Sequence, residues 1–435
     1  MIDLNLLRKN SDFVVKNYFK RGYTYSSDIF NDLDAKIKKL KVDVYKLRFE
    51  YKKKSKLIGS ISSNNKIFDM SINNDKLMKN LFNEVKVLKK DILDKENSLF
   101  LLESEFKNFL LTLPNLLHES VPFGISEADN LEIRKYKSLS KNFLFSEDLF
   151  NDEFHVCKKY VDFITASFLS GSGFVVLKRG IAQLHRALGN YMLDVHINDN
   201  GYEEIYSPLM VNSKSLYATG HFPKFYDDQF KIDGIDLWLI PTAEVVLANL
   251  VSNRVLQDNL LPLKYVSKTP CFRKEKSSYG KKVQGLIRQY QFDKVELVQI
   301  VDPYKSYLAL ENLVLDVEKI LKGLGLSYRV ICLCSSDTGF SSSKTYDLEV
   351  WFSKKKEYIE VSSCSNTESF QSRRMNAKYK SISKNICEYV HILNGSGVAI
   401  GRILSAVMEN YLDNKGRLII PDVLIKYMNG AEVIE

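Results

Sequence analysis

Two stretches near the N-terminus place apolar residues three and four positions apart. The first set follows spacings of 4, 3, 4, 3 and 4 through Leu33, Ile37, Leu40, Val44, Leu47 and Tyr51. The second set comprises Leu77, Leu81, Val85, Leu88, Ile92, Leu99, Leu102 and Phe106. A repeat of about 3.5 residues keeps one apolar stripe along a helix. Turn and loop residues at 59–65 and 71–74 separate the two sets. The pattern therefore predicts an antiparallel coiled-coil hairpin with arms of roughly 40 Å.

A different pattern begins near residue 165. Helical periodicity in residues 182–198 and 307–324 is mixed with short apolar or alternating runs. The expected strands are residues 237–240, 295–300, 328–333, 346–352 and 356–361. Because the regular strand–helix alternation of a doubly wound sheet is missing, we predict an α+β protein with an antiparallel sheet flanked by helices.

Prolines at 114 and 122 end the helical pattern. We expect an arm in residues 1–110, a linker and the start of the core in 111–165, and the main domain in 166–435. The arm carries 23 Lys and Arg against 15 Asp and Glu, so that +8 of the net +9 lies there. Such asymmetry favours a polyanionic partner, with a lysine-rich solvated helix as the alternative. The hairpin pattern alone would also suit a dimerisation coil or a helical pair packed on the core.

Composition argues against several classes of protein. No run approaches the roughly 18–20 apolar residues that a membrane-spanning helix needs. The N-terminus lacks the apolar core and cleavage site of a signal peptide, so we expect a cytoplasmic protein without a membrane partner. The six cysteines indicate neither a disulfide framework nor a zinc module with paired ligands.

The stretch 269–296 holds a dense set of candidate binding residues. It is predicted to form two strands joined by a basic nine-residue loop, residues 276–284. Alternation would place Arg273 and Glu275 on one face. The partner strand would present Arg288, Tyr290, Phe292, Lys294 and Glu296. Such a face would make a poor packed core, but it suits an anionic aromatic ligand such as a nucleotide. A solvated face with surface ion pairs is the alternative.

A glycine-rich run lies near the C-terminus. Glycines at 395, 397 and 401 precede Arg402 and the apolar pattern of residues 404–411. Glycine permits close approach of the backbone to a ligand, and Arg402 enters the helix that follows. The run alone is weak evidence, because glycine-rich strand-to-helix turns are at least as common without a ligand.

Together these segments resemble the class II aminoacyl-tRNA synthetases and, within them, the bacterial-type seryl-tRNA synthetases. Residues 269–296 look like the second signature motif of the class, and residues 394–402 with the following helix look like the third. Residues 182–208 resemble the first motif, a dimer-interface helix leading to a strand. Other stretches that look characteristic of the family are 240–244, 344–351, 360–366 and 421–430. The resemblance covers nearly the whole chain and implies a class II antiparallel β-sheet core with an N-terminal coiled-coil arm.

The resemblance implies a ligase that activates L-serine with ATP and Mg²⁺ and transfers it to the 3′-terminal adenosine of tRNA(Ser). The positions matched to ATP binding are Arg273, Lys274, Glu275, Arg288, Phe292, Glu360, Val361, Ser362, Ser363 and Arg402. Arg273, Glu360 and Arg402 would be catalytic. Glu360 and Ser363 would hold the metal, since oxygen donors suit a hard cation. Catalysis would rest on positioning and charge stabilisation.

The positions matched to serine binding are Thr242, Ala243, Glu244, Arg273, Glu296, Asn394 and Ser396. Carboxylates suit the substrate ammonium, and a site that hydrogen-bonds the hydroxyl rejects analogues lacking it. The arm would contact the variable arm of tRNA(Ser), with selenocysteine tRNA as a further candidate, in a homodimer that binds no DNA. The alternatives are another class II ligase and a catalytically silent paralogue that acts as an RNA-binding factor. The presence of Arg273, Glu360 and Arg402 argues against the silent paralogue.

The sequence departs from the usual pattern of the family in several places. Tyr290 stands where His is common, Thr367 where Cys is common, and Ile403 where Thr is frequent. Residues 218–225, Ala-Thr-Gly-His-Phe-Pro-Lys-Phe, differ from the usual Gly-Thr-Gly-Gln-Leu-Pro-Lys-Phe. None of these is a residue matched to ATP or serine, so they put only the neighbouring hydrogen bonds in doubt.

Overall fold

The computed structural model describes residues 1–64, 72–138, 156–275, 285–381 and 386–435. The chain forms two compact units. The sheet unit comprises residues 1–3, 16–23 and 114–435, and the arm unit comprises residues 4–15 and 24–113. The functional division predicted at residues 110 and 165 stays a prediction.

The described helices are α1 (Leu4–Lys9), α2 (Ser11–Lys20), α3 (Ser27–Asn64), α4 (Ile72–Thr112), α5 (Val156–Tyr160), α6 (Phe163–Ser170), α7 (Arg179–Asn198), α8 (Ser213–Thr219), α9 (Glu244–Asn249), α10 (Ser306–Gly323), α11 (Phe370–Met375), α12 (Ile400–Asn410) and α13 (Asp422–Ile425). The described strands are β1 (Leu131–Tyr136), β2 (Val161–Asp162), β3 (Val176–Leu177), β4 (Glu203–Glu204), β5 (Met210–Val211), β6 (Trp238–Leu239), β7 (Val255–Gln257), β8 (Leu263–Phe272), β9 (Gln291–Val301), β10 (Tyr328–Cys332), β11 (Lys344–Phe352), β12 (Glu357–Asn366), β13 (Lys378–Ser381), β14 (Ile386–Tyr389), β15 (His391–Ala399), β16 (Leu418–Ile419) and β17 (Val433–Ile434).

The long helices α3 and α4 dominate the arm unit. Six residues of the predicted stripes are buried, namely Leu33, Ile37, Val44, Leu81, Leu88 and Phe106, and most of the others are partly buried. Leu77 is the exception, at 48% exposed. Helix α3 also continues through Gly59, where the sequence predicted a turn. A single glycine weakens a helix by only about 1 kcal/mol, which a long helix tolerates. The predicted loop residues 65–71 lie outside the described residues.

Ion pairs link the two arm helices and fix their direction. Lys41, Asp43, Arg48 and Lys54 of α3 pair with Glu103, Lys95, Glu96 and Glu84 of α4, respectively, at 2.5–3.0 Å. From the first pair to the last, the position in α3 advances from 41 to 54, whereas the position of the partner in α4 falls from 103 to 84. The helices are therefore antiparallel, and the predicted hairpin is confirmed.

An eight-stranded sheet forms the centre of the sheet unit, in the order β1-β10-β11-β12-β15-β9-β8-β4. Neighbouring strands run antiparallel, apart from the parallel pair β4 and β8. Helices α7, α10 and α12 bury apolar side chains in one core with these strands, among them Leu184, Val314 and Leu404. The predicted α+β architecture is confirmed.

The two strands predicted at 269–275 and 285–296 stop short of the loop that connects them, because β8 ends at Phe272 and β9 begins at Gln291. The ladder between β8 and β9 ends where Phe272 faces Gln291. The Lys274 amide then donates to the Asp228 carbonyl at 2.9 Å, and Glu275 adopts a left-handed φ of 52°. Residues before Gln291 form a turn, in which the Tyr290 amide donates to the Gly173 carbonyl at 3.0 Å. These contacts from outside the hairpin replace the ladder, so Arg273, Glu275 and Arg288 lie beyond the strands.

Candidate active site

The sheet unit contains a polar cavity of about 390 Å³ beside strands β9, β12 and β15. Helices α9 and α12 begin at its wall, with Glu244 as the first residue of α9 and Arg402 in the first turn of α12. Thirteen sequence-predicted residues line it: Thr242, Glu244, Arg273, Glu275, Arg288, Phe292, Glu296, Glu360, Val361, Ser363, Asn394, Ser396 and Arg402. The fold therefore brings together side chains that are up to 160 positions apart in the chain.

The side chains of three predicted residues are absent from the cavity lining. Ala243 is fully buried in an apolar cluster. Lys274 lies over the ring of Phe230, with its Nζ 5.4 Å from the ring centroid. Ser362 is buried, and its hydroxyl donates to the carbonyl of Ser396.

One end of the cavity carries a compact group of buried polar side chains. The Thr242 hydroxyl donates to Oε2 of Glu296 at 2.8 Å and accepts from Nζ of Lys294 at 2.9 Å. Lys294 also forms an ion pair with Glu296. Because these groups are buried and satisfy one another, each has a fixed position. We call this end, with Glu244, the carboxylate end.

Glu244 completes the carboxylate end. Nε2 of Gln371 donates to Oε1 of Glu244 at 2.7 Å. Burial and the nearby Glu296 carboxylate raise the pKa of Glu244 to about 7. A cation that enters this end would favour the ionised form of Glu244, because opposite charges stabilise each other.

The other end of the cavity carries arginines and an aromatic ring. The Arg273 guanidinium lies 5.2 Å from the centroid of the Phe292 ring, and its Nε donates to the Pro241 carbonyl at 3.3 Å. Arg288 pairs with Glu275 at 2.9 Å. This arginine end can bind an anion through guanidinium groups and accept a flat ring against Phe292.

Arg402 and Glu360 also line the cavity and contact each other. Arg402 donates to the carbonyls of Ile287 at 3.1 Å and Glu360 at 2.7 Å, and its Nη1 lies 3.2 Å from the Glu360 carboxylate. The Arg402 charge lowers the pKa of Glu360, so this carboxylate is ionised at neutral pH. An ionised carboxylate in the cavity lining can bind a metal ion or a cationic group.

Glu360 and Ser363 provide oxygen donors of the kind that Mg²⁺ binds. Strand pairing places Asp347 opposite Ser363, and among the described residues Oδ1 of Asp347 has no hydrogen-bond partner. Such a buried acceptor fits a nearby cation or its bound water. No group of three or more His, Cys, Asp or Glu side chains suited to a metal occurs in the described part of the chain. The donor set therefore fits a magnesium ion that takes further oxygens from a phosphate ligand and water.

Comparison with known proteins identifies the family. Residues 1–117 match the family model described as the seryl-tRNA synthetase N-terminal domain. Residues 229–411 match the tRNA synthetase class II core domain (G, H, P, S and T). The serine–tRNA ligase of Wigglesworthia glossinidia brevipalpis is 44% identical over 442 aligned residues, covering 100% of both chains. The chain belongs to the seryl-tRNA synthetase family.

Further relatives agree with this assignment to the seryl-tRNA synthetases. The serine–tRNA ligase of Cellvibrio japonicus is 43% identical, covering 100% of this chain and 99% of the relative. The solved seryl-tRNA synthetase from Pyrococcus horikoshii complexed with ATP matches with a TM-score of 0.86 and 31% identity, covering 100% of this chain and 99% of that one. The predicted family is confirmed. No helix in the described residues is long and apolar enough to span a membrane.

Three residues that depart from the usual seryl-tRNA synthetase pattern make contacts outside the cavity. Tyr290 meets the Phe174 ring edge-on, with 5.7 Å between ring centroids. The Thr367 hydroxyl donates to the Ile392 carbonyl at 2.8 Å, and Ile403 is fully buried in the core. None of the three belongs to the described cavity lining.

Sequence reasoning assigned no binding role to several residues that line the cavity, among them His221, Lys294 and Gln289. Alternation along the strand did place Lys294 on the same face as Glu296, which was a usable signal. His221 lies in the departing segment 218–225, and nothing in its local sequence indicates that it faces Thr242.

Proposed function

We propose that the protein activates L-serine with ATP to form seryl-adenylate and then transfers the seryl group to the 3′-terminal adenosine of tRNA(Ser). The observation that carries the proposal is the cavity with a carboxylate end and an arginine end in a chain of this family. The carboxylate end suits an ammonium and a hydroxyl, and the arginine end suits a nucleotide. Relatives of full length are named serine–tRNA ligases.

In the first step a serine carboxylate oxygen attacks the α-phosphorus of ATP, and pyrophosphate leaves. Arg273 belongs to the arginine end, its Nε donates to the carbonyl of Pro241, which precedes Thr242, and it would neutralise the charge that develops at the α-phosphate. Phe292 would stack on adenine, and Glu275 would accept a hydrogen bond from the adenine amino group. Arg288 would then leave Glu275 and bind the outer phosphates. The existing ion pair keeps both groups charge-compensated before ATP binds.

The metal in this proposal is Mg²⁺ held by Glu360 and Ser363. The ion would supply charge neutralisation between phosphates. Arg402 holds the main-chain carbonyl of Glu360, which orients the carboxylate. Lys274, Ala243 and Ser362 could contribute main-chain atoms, since their side chains are directed elsewhere.

Serine would bind at the carboxylate end. Glu244 and Glu296 would accept from its ammonium, while Thr242, Ser396 and Asn394 would surround its hydroxyl. Alanine should be a poor substrate, because it would leave these buried polar groups without a partner.

The arm would position the tRNA. Its net charge of +8 is suited to phosphate contacts, which fix orientation without reading bases. Selenocysteine tRNA is a further proposed acceptor, and this candidate rests on the family resemblance. A homodimer and a cytoplasmic location complete the proposal, and both rest on the family resemblance.

A charging assay tests the proposal. The protein is incubated with ATP, MgCl₂, labelled serine and unfractionated bacterial tRNA, and acid-precipitable label is measured. We expect label on the tRNA that is lost when the terminal adenosine is oxidised with periodate beforehand. Absence of label, with tRNA that a known serine–tRNA ligase charges, would refute the proposal.

A further inference from the structure

His221 faces the same cavity as the carboxylate end, although no role has been assigned to it so far. It follows helix α8, which ends at Gly220 with a left-handed φ of 86°. This end turns the chain so that His221 lines the cavity together with Thr242 and Glu244. Glycine suits that conformation because it has no Cβ to clash.

Hydrogen bonds define which ring nitrogen of His221 faces a ligand. Nδ1 lies 2.9 Å from the hydroxyl of Thr219. That hydroxyl lies 3.2 Å and 3.4 Å from the carbonyls of Ser215 and Leu216, which can only accept. Because threonine has one hydroxyl proton and gives it to the helix carbonyls, Nδ1 donates to Thr219. Nε2 is then a lone-pair acceptor that remains for a ligand in the cavity.

Hydrogen bonds to Thr219 and Phe222 fix the backbone on both sides of His221. Phe222 is buried next to it, and the Arg374 guanidinium donates to the Phe222 carbonyl at 3.1 Å. Gln371 donates to the Thr219 carbonyl at 3.0 Å and to Glu244 at 2.7 Å, so one side chain ties the His221 loop to the carboxylate end. Burial and the charges of Arg273, Lys294 and Arg374 lower the pKa of His221 to about 3. The ring is therefore neutral at physiological pH.

We propose that Nε2 of His221 accepts a hydrogen bond from the α-ammonium of the amino-acid substrate, next to Glu244. The inference rests on the proposed serine activation. A carboxylate of the substrate would be repelled by the lone pair, and the ammonium offers three donors. Glu244 supplies charge, and His221 adds a directional acceptor that does not change the net charge of the cavity.

The test is a thermodynamic cycle between the His221 ring and the ligand amine. Two sulfamoyl analogues of the adenylate are compared, seryl-sulfamoyl-adenosine and the same compound with hydrogen in place of the α-amine. The wild type, His221→Phe and His221→Gln are titrated with both. We expect His221→Phe to reduce the preference for the amine about 10-fold or more, the scale of a hydrogen bond to a charged group. His221→Gln offers an amide oxygen and should retain the preference within about threefold.

An unchanged preference in folded His221→Phe, or equal weakening of both analogues, would overturn the inference. Nitrogen-15 NMR of the wild-type imidazole gives an answer that needs no variant: a proton on Nδ1 supports it, and a proton on Nε2 overturns it. Serine-dependent pyrophosphate exchange by the wild type separates the two proposals. If the wild type shows no such exchange, the proposed function is wrong. If it shows exchange but His221→Phe leaves the preference for the amine unchanged, only the proposed role of His221 is wrong.

Discussion

The arm and the cavity use charge in opposite ways. On the arm, Lys95 and Asp43 or Arg48 and Glu96 are partly exposed pairs, each worth about 0.2–1 kcal/mol and screened by salt. In the cavity, Lys294 and Glu296 are buried, and each is also tied to Thr242 directly. Removal of one partner of such a pair leaves a buried charge without compensation and lowers the free energy of unfolding by several kcal/mol. The comparison indicates that the arm acts through its summed charge, whereas the cavity depends on single atoms.

We expect the largest effect from deletion of most of the arm, which should abolish one activity and leave the other. Deletion of residues 30–106 should leave serine-dependent ATP–pyrophosphate exchange within about threefold of wild type, because no cavity residue is removed. It should abolish tRNA charging, since the phosphate contacts are lost. Both activities are measured on the same folded preparation. Equal loss of exchange and charging would contradict this division of roles.

The second-largest effect is expected from a single substitution in the cavity. Arg273→Ala should lower exchange by about 10²–10³, the cost of removing one preorganised charge from a developing oxyanion. Arg254→Ala removes an exposed arginine of the same unit and is the matched control. An effect of Arg273→Ala no larger than that of Arg254→Ala would show that the arginine end does not hold the reacting phosphate.

The pKa of Glu244, at about 7, predicts a pH dependence of intermediate size. In the proposed site the serine ammonium binds the ionised Glu244 carboxylate, so the KM for serine should rise as the pH falls below 7. The rise should approach about tenfold one pH unit below the pKa. The KM for ATP should change less over the same range. Glu244→Gln should have a high KM for serine at every pH and a flat profile, and a sloping profile in that variant would assign the titration to another group.

Only part of the fold and of the cavity could be predicted from the sequence. The spacing of Leu33, Ile37 and Val44 predicted the arm, because a helix contact follows from local periodicity. Motif order predicted thirteen of the lining residues. The ends of β8 and β9 were not predictable, because they depend on contacts from Asp228 and Gly173, far away in the chain. For the same reason the position of His221 depends on Gln371, 150 residues later.

The smallest expected effects concern single lysines of the arm. Lys89 and Lys95 both lie on α4, and Lys95 pairs with Asp43 whereas Lys89 is exposed. Lys89→Ala should raise the KM for tRNA by about two- to threefold. It should also reduce the slope of log affinity for tRNA against log salt concentration by about one, the value for one lost phosphate contact. Lys95→Ala tests a lysine whose charge is already compensated and should change the KM less. A loss of more than tenfold from either variant would mean that the arm reads its partner through single residues.

The most direct test of the central claim is ATP–pyrophosphate exchange with each of the twenty amino acids in turn. The proposed serine site predicts strong exchange with serine and little with alanine, because alanine lacks the hydroxyl for which Thr242, Ser396 and Asn394 are the proposed partners. Stronger exchange with any other amino acid, or no exchange with serine, would contradict the account.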